Sequence, residues 1–262
     1  MINKVQKHEQ EAVLDILRQD PSRSMFIYGD ILQNGWETDY QEVWIDRSTR
    51  GIDAIYLRYH NNLVIYAVHA IKDVDALKSF VNELPVHFIS GCKKHLEQCG
   101  MIDMESISFR EMYFCECKER VNPVMNDRVV MAETKHAKAI AEAIMQISEF
   151  AEITSLEERV ERISERLATG KGRATIIMEN DTVIAHANTA VETDHSVMVG
   201  SVLTLPAYRG QGLASQVVSE LTRICLAEGK IPCLFYDNPK AGSIYHRLGY
   251  VTFDTWMLGT KQ

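Results

Sequence analysis

The stretch Val202-Leu-Thr-Leu-Pro-Ala-Tyr-Arg-Gly-Gln-Gly-Leu-Ala214 decides how the second half of the chain folds. Its apolar start predicts a strand that ends at a proline, and the residues after its two glycines predict the start of a helix over Gly210–Glu228. The first N–H groups of a helix lack intrahelical acceptors and lie at the positive end of the macrodipole. Because glycines let a phosphate approach closely, the stretch predicts an anion-binding loop.

This loop differs from the two common nucleotide-binding loops. It has neither the GxxxxGK spacing of a P-loop nor the GxGxxG spacing of a dinucleotide-binding turn. A second segment, Asn238-Pro-Lys-Ala-Gly-Ser-Ile-Tyr-His-Arg-Leu-Gly-Tyr250, follows a predicted strand over Ile231–Tyr236. Together, the two segments indicate the protein's family more specifically than either one does alone.

Both segments resemble signatures of one family. Arg209-Gly-Gln-Gly212-Leu-Ala214 resembles the R/Q-x-x-G-x-G/A signature of GNAT acetyltransferases. Asn238 to Tyr250 resembles the N-x-x-A-x-x-x-Y-x-x-x-G-F/Y block of the same family. The resemblance covers about the C-terminal half of the chain, and the two motifs occur in the expected order.

The resemblance implies that acetyl-CoA is a co-substrate and that no metal is needed. The loop would bind the coenzyme A pyrophosphate, and the strand Ser196–Leu205 would pair with the pantetheine arm once its upstream neighbour splays away. We therefore expect one group of cofactor-binding residues: Val202, Leu203, Thr204, Arg209, Gly210, Gln211, Gly212, Leu213, Ala214 and Asn238. Structural interpretations stay open beside this one, since Arg209 could be an exposed helix-start arginine and Asn238 a helix cap before Pro239.

The resemblance also implies a catalytic acid, Tyr245, which would protonate the leaving thiolate. The alternative is a core aromatic, because Ala241, Ile244 and Leu248 share its helix face.

The general base is left open by the sequence. It could be a water chain or one of three residues at the start of the cofactor strand, which could equally form a polar turn: Glu192, Asp194 and His195. His186 is expected to be a buried core histidine.

The order of predicted elements from residue 126 onward is β, α, α, β, β, β, α, β, α, β. We expect an α/β fold of the α+β type, with a GNAT-like, largely antiparallel mixed sheet flanked by helices, over residues 126–262. A charged, proline-bearing stretch at 118–127 is expected to connect it to a first mixed α/β lobe over residues 1–125. That lobe lacks the RxxGxG/A loop, which suggests a tandem arrangement with one degenerate GNAT-like copy.

Composition narrows the function classes. The 262 residues carry a net charge of −8, which argues against a nucleic-acid partner. The sequence has no apolar run of membrane-spanning length and no apolar signal-peptide core in residues 1–20, so we expect a cytoplasmic protein without a membrane partner. None of the six cysteines has a metal-site spacing.

The favoured function is transfer of an acetyl group from acetyl-CoA to a primary amine of a small molecule, by direct attack in a ternary complex. Two alternatives are a protein or peptide N-acetyltransferase and a non-catalytic acyl-CoA sensor. A third places the working surface on the first lobe, around Trp36 and Trp44, although these lie in strand-like runs typical of a core. No sequence pattern indicates the acceptor amine or the oligomeric state.

Overall fold

The structure, a computed structural model, describes residues 1–120, 122, 124, 126–147 and 154–262. Its contacts divide the chain into two compact units. Unit 1 comprises residues 1–115, 235–237 and 252–262, and unit 2 comprises residues 116–234 and 238–251. The predicted domain limit at 125/126 stays a prediction. The last segment, which the sequence placed with the second domain, is grouped with unit 1, where Trp256 pairs with Cys92.

Unit 1 is built around a mixed sheet. Its strands are β1 (Ile2–Lys4), β2 (Glu37–Thr38), β3 (Gln41–Ser48), β4 (Gly51–Tyr59), β5 (Asn62–Ala67), β6 (Phe88–Cys92), β7 (Ile107–Glu116) and β13 (Val251–Lys261). Its helices are α1 (Gln10–Arg18), α2 (Met25–Asn34), α3 (Val74–Glu83) and α4 (Lys93–Gln98). The strand order is β1-β3-β4-β5-β6-β13-β7, with β2 beside β3. Asn61-Asn62 lies between two β-like runs and predicts a hairpin turn, which the antiparallel pairing of β4 with β5 confirms.

Short β-like runs in the sequence of unit 1 predict strands, and one of these predictions, over Met25–Tyr28, is wrong. Met25–Tyr28 forms the first turn of α2, in which Met25, Ile27, Tyr28 and Ile31 are all buried. A helix that is buried on more than one side has consecutive apolar residues, and a short apolar run of this kind cannot be told from a strand by its period. Trp44 lies in the apolar core of this unit, as its strand-like context predicted.

Unit 2 contains the two motif segments. Its strands are β8 (Val130–Met131), β9 (Ala174–Glu179), β10 (Thr182–Glu192), β11 (Ser196–Thr204) and β12 (Ile231–Tyr236), whose last two residues are grouped with unit 1. Its helices are α5 (Ala137–Met145), α6 (Leu156–Thr169), α7 (Leu213–Ala227) and α8 (Pro239–Arg247). The strand order is β12-β11-β10-β9-β8, antiparallel except for the parallel β11–β12 pair. The predicted mixed, largely antiparallel sheet is confirmed.

Capping residues in the sequence predict two helix starts in unit 2. Ser155 with Glu158 three residues later predicts a capping box, and Thr134 is a candidate cap for a helix that runs to about Phe150. The capping box of α6 is confirmed, since Ser155 Oγ accepts from the Glu158 N–H at 3.1 Å and the Glu158 carboxylate accepts from the Ser155 N–H at 2.9 Å. Thr134 does not cap α5, because it lies inside a short 3₁₀ turn over Thr134–His136 that precedes the helix. The helix ends at Met145, and its predicted end near Phe150 lies outside the described residues.

Different helices lie on the two faces of the unit 2 sheet. Thr175 on β9 donates from Oγ1 to the Val217 carbonyl of α7 at 2.8 Å, which places α7 on the face that Thr175 occupies. Side chains alternate along a strand, so Ala174 and its register partner Asn188 point to the other face, where they line a small cavity with Ile140 of α5 and Leu167 of α6. The sheet therefore has helices on both faces. Among the described helices, none is long and apolar enough to cross a membrane.

Candidate coenzyme A site

A bulge interrupts β11 at the end of the strand that the sequence assigned to the cofactor. The ladder of β10 and β11 shifts once at Ala190, between Val191 opposite Met198 and Thr189 opposite Val199. It continues to Asn188 opposite Gly200, and the next pair is His186 opposite Leu203. Two residues of β11, Ser201 and Val202, thus face one residue of β10. Ser201 has φ of +47°, in the left-handed region that non-glycine residues seldom adopt.

The neighbouring strand β12 leaves β11 just before this bulge. Its parallel pairing covers only Ser196–Met198 against Ile231–Cys233, although both strands continue further. One edge of β11 is therefore open beyond Met198. The expectation that the upstream neighbour splays away is wrong: β10 stays paired with β11 from Glu192 opposite Val197 to Ala185 opposite Thr204. The hairpin partner is held by its antiparallel ladder, so the parallel partner is the one that diverges.

The ladder fixes which backbone groups point to the open edge. The Leu205 N–H donates to the Ile184 carbonyl of β10 at 2.9 Å. Successive backbone N–H groups of a strand point to opposite edges, so Leu203 also directs its N–H to β10, while Val202 and Thr204 direct theirs to the open edge. Val202 and Thr204 thus present polar backbone groups to the opening, and the contact predicted for Leu203 stays a prediction.

The glycine loop leads from this edge into α7. Gly210 and Gly212 have φ of +80° and +74°, and a Cβ added to either one would meet no atom within 4 Å. Gly212 is the N-cap of α7 and has no side chain with which to cap the helix, and no acidic residue lies in its first turn. The amides of Leu213 and Ala214 therefore lie at the positive end of a 15-residue helix whose N-cap offers them no side-chain acceptor, which fits an anion such as a pyrophosphate.

Arg209 and Gln211 lie on the exposed surface of the same loop. The Arg209 Nε donates to the Thr204 carbonyl at 3.3 Å, which ties the loop to the end of β11. Arg209 therefore carries its positive charge beside the N-terminus of α7, although its side chain also has a structural role.

Unit 1 contains an equivalent arrangement that lacks this loop. Its strand β5 runs parallel to β6 over Asn62–Val64, with α3 between them. The N-cap of α3 is Asp73, whose carboxylate accepts from the Ala76 N–H at 3.0 Å, and Asp75 adds a second negative charge in the first turn. A Cβ on Gly91 of β6 would lie 2.7 Å from the Ile65 carbonyl, so these two strands stay close together. Within the described residues of unit 1, β5 and β6 thus stay close beyond their paired residues, and the start of α3 is capped by a carboxylate and disfavours an anion.

The second motif forms a capped helix with a buried tyrosine. Asn238 accepts from the Lys240 N–H at 2.9 Å and Pro239 is the first residue of α8, so the capping role of Asn238 is confirmed. Tyr245 is buried, with 7% of its surface exposed, and packs edge to face on Tyr250 with ring centroids 6.1 Å apart. The packing role of Tyr245 is therefore real, and its role as an acid stays a prediction.

Glu192 is an ion-paired structural carboxylate. It accepts two hydrogen bonds from Arg173, at 2.9 and 2.8 Å, one from the Thr189 hydroxyl at 2.7 Å and one from Lys230 at 3.0 Å. Burial opposes ionisation, but these hydrogen bonds outweigh it and hold the pKa of the Glu192 carboxyl below its ordinary value. Such a group does not take up a proton at neutral pH.

Asp194 and His195 lie in the exposed turn between β10 and β11, with His195 Nε2 3.6 Å from Asp194 Oδ2. Val202 lies seven positions after His195, which corresponds to about 20 Å along a strand. Both residues are therefore at the far end of β11 from the bulge. The identity of the general base stays open.

His186 is a buried histidine, as its place within a strand predicted. Its Nδ1 lies 2.9 Å from the Ser201 carbonyl oxygen, and burial lowers its pKa to about 4, so the ring is neutral at pH 7. The sequence did not reveal this contact, because a serine rather than a glycine occupies the left-handed position and nothing marks the bulge.

Metal ligation has no structural basis in the ranges that the structure describes, where no group of three or more His, Cys, Asp or Glu side chains could hold an ion. The geometry of strand, loop and helix instead favours an organic phosphate ligand.

Comparisons with known proteins agree with this architecture. A GNAT acetyltransferase from Colwellia psychrerythraea covers 100% of both chains with a TM-score of 0.65 at 12% identity. A tandem GNAT protein from the clavulanic acid biosynthesis pathway covers 99% of this chain and 97% of its own, with a TM-score of 0.61 at 12% identity. A GCN5-related N-acetyltransferase from Sphaerobacter thermophilus covers 100% and 95%, with a TM-score of 0.64 at 12% identity.

These likenesses establish the fold, including its two-lobed form. No curated protein sequence matches the chain. The sequence model of the family described as GNAT acetyltransferase matches residues 125–258, which contain both motifs and about half of the 262 residues. The chain belongs to the GNAT acetyltransferase family.

Proposed function

We propose that the protein transfers the acetyl group of acetyl-CoA to a primary amine of a small molecule. The observation that carries the proposal is the continuity of three features in unit 2. The open edge of β11 presents the Val202 and Thr204 N–H groups, and the loop with Gly210 and Gly212 leads directly to the uncapped start of α7. An extended ligand with an amide-bearing arm and a pyrophosphate matches this order of groups.

Different residues of the site bind different parts of acetyl-CoA. The N–H groups of Gly212, Leu213 and Ala214, with the Arg209 side chain, hold the pyrophosphate, and the Val202 and Thr204 backbone binds the pantetheine arm. Gln211 and Asn238 border the site from the loop and from the start of α8. A backbone N–H beside Leu203 stabilises the negative charge that develops on the thioester oxygen.

The proposed reaction is a direct transfer. The amine nitrogen forms a bond to the acetyl carbon, the carbon–sulfur bond breaks, and the sulfur leaves as a thiolate. Tyr245 donates its phenolic proton to this thiolate, which is feasible because the reference pKa of a tyrosine, about 10, is close to that of a thiol. Water takes the proton of the attacking amine, since Glu192 is ion-paired and Asp194 and His195 lie about 20 Å along the strand.

A small cationic amine is the favoured acceptor because the chain carries a net charge of −8, which attracts cations. A protein or peptide N-acetyltransferase would use the same cofactor site, as would a sensor that binds acyl-CoA without turnover. We also place the protein in the cytoplasm, a proposal supported by six buried cysteines that form no disulfide.

The test is a thiol-release assay with acetyl-CoA and two acceptor panels. One panel contains small primary amines, including polyamines, and the other contains peptides with a free N-terminus or a lysine. Turnover with a small amine, with the acetylated product identified by mass, supports the proposal, and turnover with peptides alone supports the protein-acetylating alternative. Binding of acetyl-CoA without turnover on either panel supports the sensor, and a folded protein that neither binds nor turns over contradicts all three.

A further inference from the structure

The bulge of β11 determines which backbone groups reach the open edge. Because Ser201 and Val202 together face one residue of β10, the strand is shifted by one residue beyond the bulge. Without that extra residue, Val202, Leu203 and Thr204 would each move by one register position. The N–H groups that now face β10 would then face the open edge, and the N–H groups that now face the open edge would face β10.

The bulge is not stabilised by its own sequence. Ser201 adopts φ of +47° although it is not a glycine, and the glycine beside it, Gly200, pairs regularly with Asn188. A side chain at a left-handed position is strained unless its surroundings hold it there. A contact from outside β11 is therefore needed to maintain this conformation.

His186 supplies that contact from β10. Its side chain is 1% exposed and lines a small cavity together with Ile140 and Ile144 of α5. The Ser201 carbonyl can only accept, so the imidazole must donate from Nδ1 over the 2.9 Å between the two atoms. A neutral ring has one proton, and this hydrogen bond fixes it on Nδ1.

We propose that His186 is a positioning residue for acetyl transfer: it holds the Ser201–Val202 bulge and thereby aims the Val202 and Thr204 N–H groups at the thioester. The inference rests on the proposed function. His186 touches neither acetyl-CoA nor the amine, and acts only through the backbone of β11. Its loss should therefore affect recognition of the acetyl group more than recognition of the distant pyrophosphate.

The test compares two replacements in the full-length protein. His186→Asn places an amide nitrogen where Nδ1 stood and can still donate to Ser201, but it leaves a void beneath α5. His186→Leu fills the buried space but cannot donate. A purely structural role predicts that the leucine variant performs as well as the asparagine variant or better, whereas a positioning role predicts the opposite order.

Calorimetry would measure the Kd of coenzyme A and of acetyl-CoA for each protein, and the thiol-release assay would give kcat. We expect His186→Leu to keep its affinity for coenzyme A within about twofold and to lose about 10- to 100-fold in kcat. We expect His186→Asn to recover most of that loss. Nitrogen NMR on the wild-type protein should show the His186 proton on Nδ1 at pH 7.

Each outcome bears on a specific claim. A leucine variant with wild-type kcat and an unchanged ratio of the two Kd values overturns the positioning role and leaves the acetyltransferase proposal intact. A proton on Nε2 at pH 7 overturns it as well, since the hydrogen bond to Ser201 could not exist. A wild-type protein that binds neither ligand contradicts the proposed function, and the positioning role with it.

Discussion

Arg173 and Glu192 form a two-point ion pair between the start of β9 and the end of β10, with Nε–Oε1 at 2.9 Å and Nη2–Oε2 at 2.8 Å. Only 20% of the Arg173 side chain and 14% of the Glu192 side chain are exposed, and Lys230 joins the pair at 3.0 Å from Oε2. Charge-assisted hydrogen bonds of this kind are stronger than neutral ones. The pair therefore fastens the end of the sheet that lies far from the bulge.

Glu192→Gln should therefore lower stability but not turnover. We expect the free energy of unfolding at pH 7 to fall by about 1–3 kcal/mol, because the amide replaces a charged acceptor. Denaturant titration measures this change, and kcat per folded molecule should stay at the wild-type value. Glu220→Gln is the matched control, since Glu220 pairs with Arg223 on the surface of one helix and should cost less than about 1 kcal/mol.

A stable Glu192→Gln protein with greatly reduced kcat would restore Glu192 as a candidate base. The pH dependence gives a second check with a definite sign. Because the pKa of Glu192 is lower in the folded protein, its stabilising contribution is present above its unfolded pKa of about 4.3 and is lost as the pH falls through the folded value.

Tyr245→Phe should separate chemistry from binding. The substitution keeps the ring that packs on Tyr250 and removes only the hydroxyl. If Tyr245 protonates the thiolate, kcat should fall by about 10²–10⁴-fold while the Kd of acetyl-CoA changes little. Steady-state kinetics and calorimetry on the same preparation provide the two numbers, and an unchanged kcat would end the assignment.

The buried histidines predict a loss of stability in mild acid. Burial lowers the pKa of His186 in unit 2 and of His95 in unit 1 to about 4, below the ordinary value of about 6.5 in the unfolded chain. Between these two values the unfolded chain binds a proton that the folded protein does not. Stability is thus fully present above about pH 6.5 and declines as the pH falls toward 4.

The His186→Asn variant lacks one of these two titrating histidines, so its free energy of unfolding should depend less on pH than that of the wild-type protein. Between pH 7 and pH 4.5 we expect the wild-type protein to lose about 2.5 kcal/mol more than this variant, from a shift of about 2.5 pKa units. Urea titrations at both pH values measure this difference. The contributions of the carboxylates to the pH dependence are common to the two proteins and therefore cancel. Equal losses would show that His186 is not buried as a neutral ring.

The sequence predicted the parts of the site that depend on local chemistry. Gly210 and Gly212 occupy left-handed positions at a helix start, and Asn238 caps α8, because turn and cap geometry restrict the choice of residue. The antiparallel strands of unit 2 were also predictable, because they are short runs rich in apolar residues that are buried over much of their length. These features are encoded within a few neighbouring residues.

The features that the sequence missed arise from pairing between distant segments. Nothing near Ser201 marks a bulge, and nothing in Ser196–Leu205 tells which neighbour diverges, since the ladder of β10 and the register of β12 decide that. Glu192 looked like a candidate base because its partners Arg173 and Lys230 are 19 and 38 residues away in the chain. Likewise, α2 resembled a strand because its burial is a tertiary property.

The central claim is that the start of α7 binds the pyrophosphate of acetyl-CoA, and a matched pair of variants tests it. Gly212→Asp and Gly229→Asp both place an aspartate at a left-handed glycine with open space around it, with φ of +74° and +75°. They lie at the two ends of the same helix. Both substitutions place a side chain at a left-handed position, and a negative charge is favourable at a helix N-terminus and unfavourable near its C-terminus, so Gly212→Asp should be no less stable than its control.

Calorimetric titration of the wild-type protein and these two variants with acetyl-CoA is the most direct measurement. We predict that the wild-type protein and Gly229→Asp bind with similar Kd, whereas Gly212→Asp loses at least about tenfold in affinity, or about 1.4 kcal/mol, through charge repulsion at the helix start. Equal affinity of the two folded variants, or no binding by the folded wild-type protein, would contradict the claim.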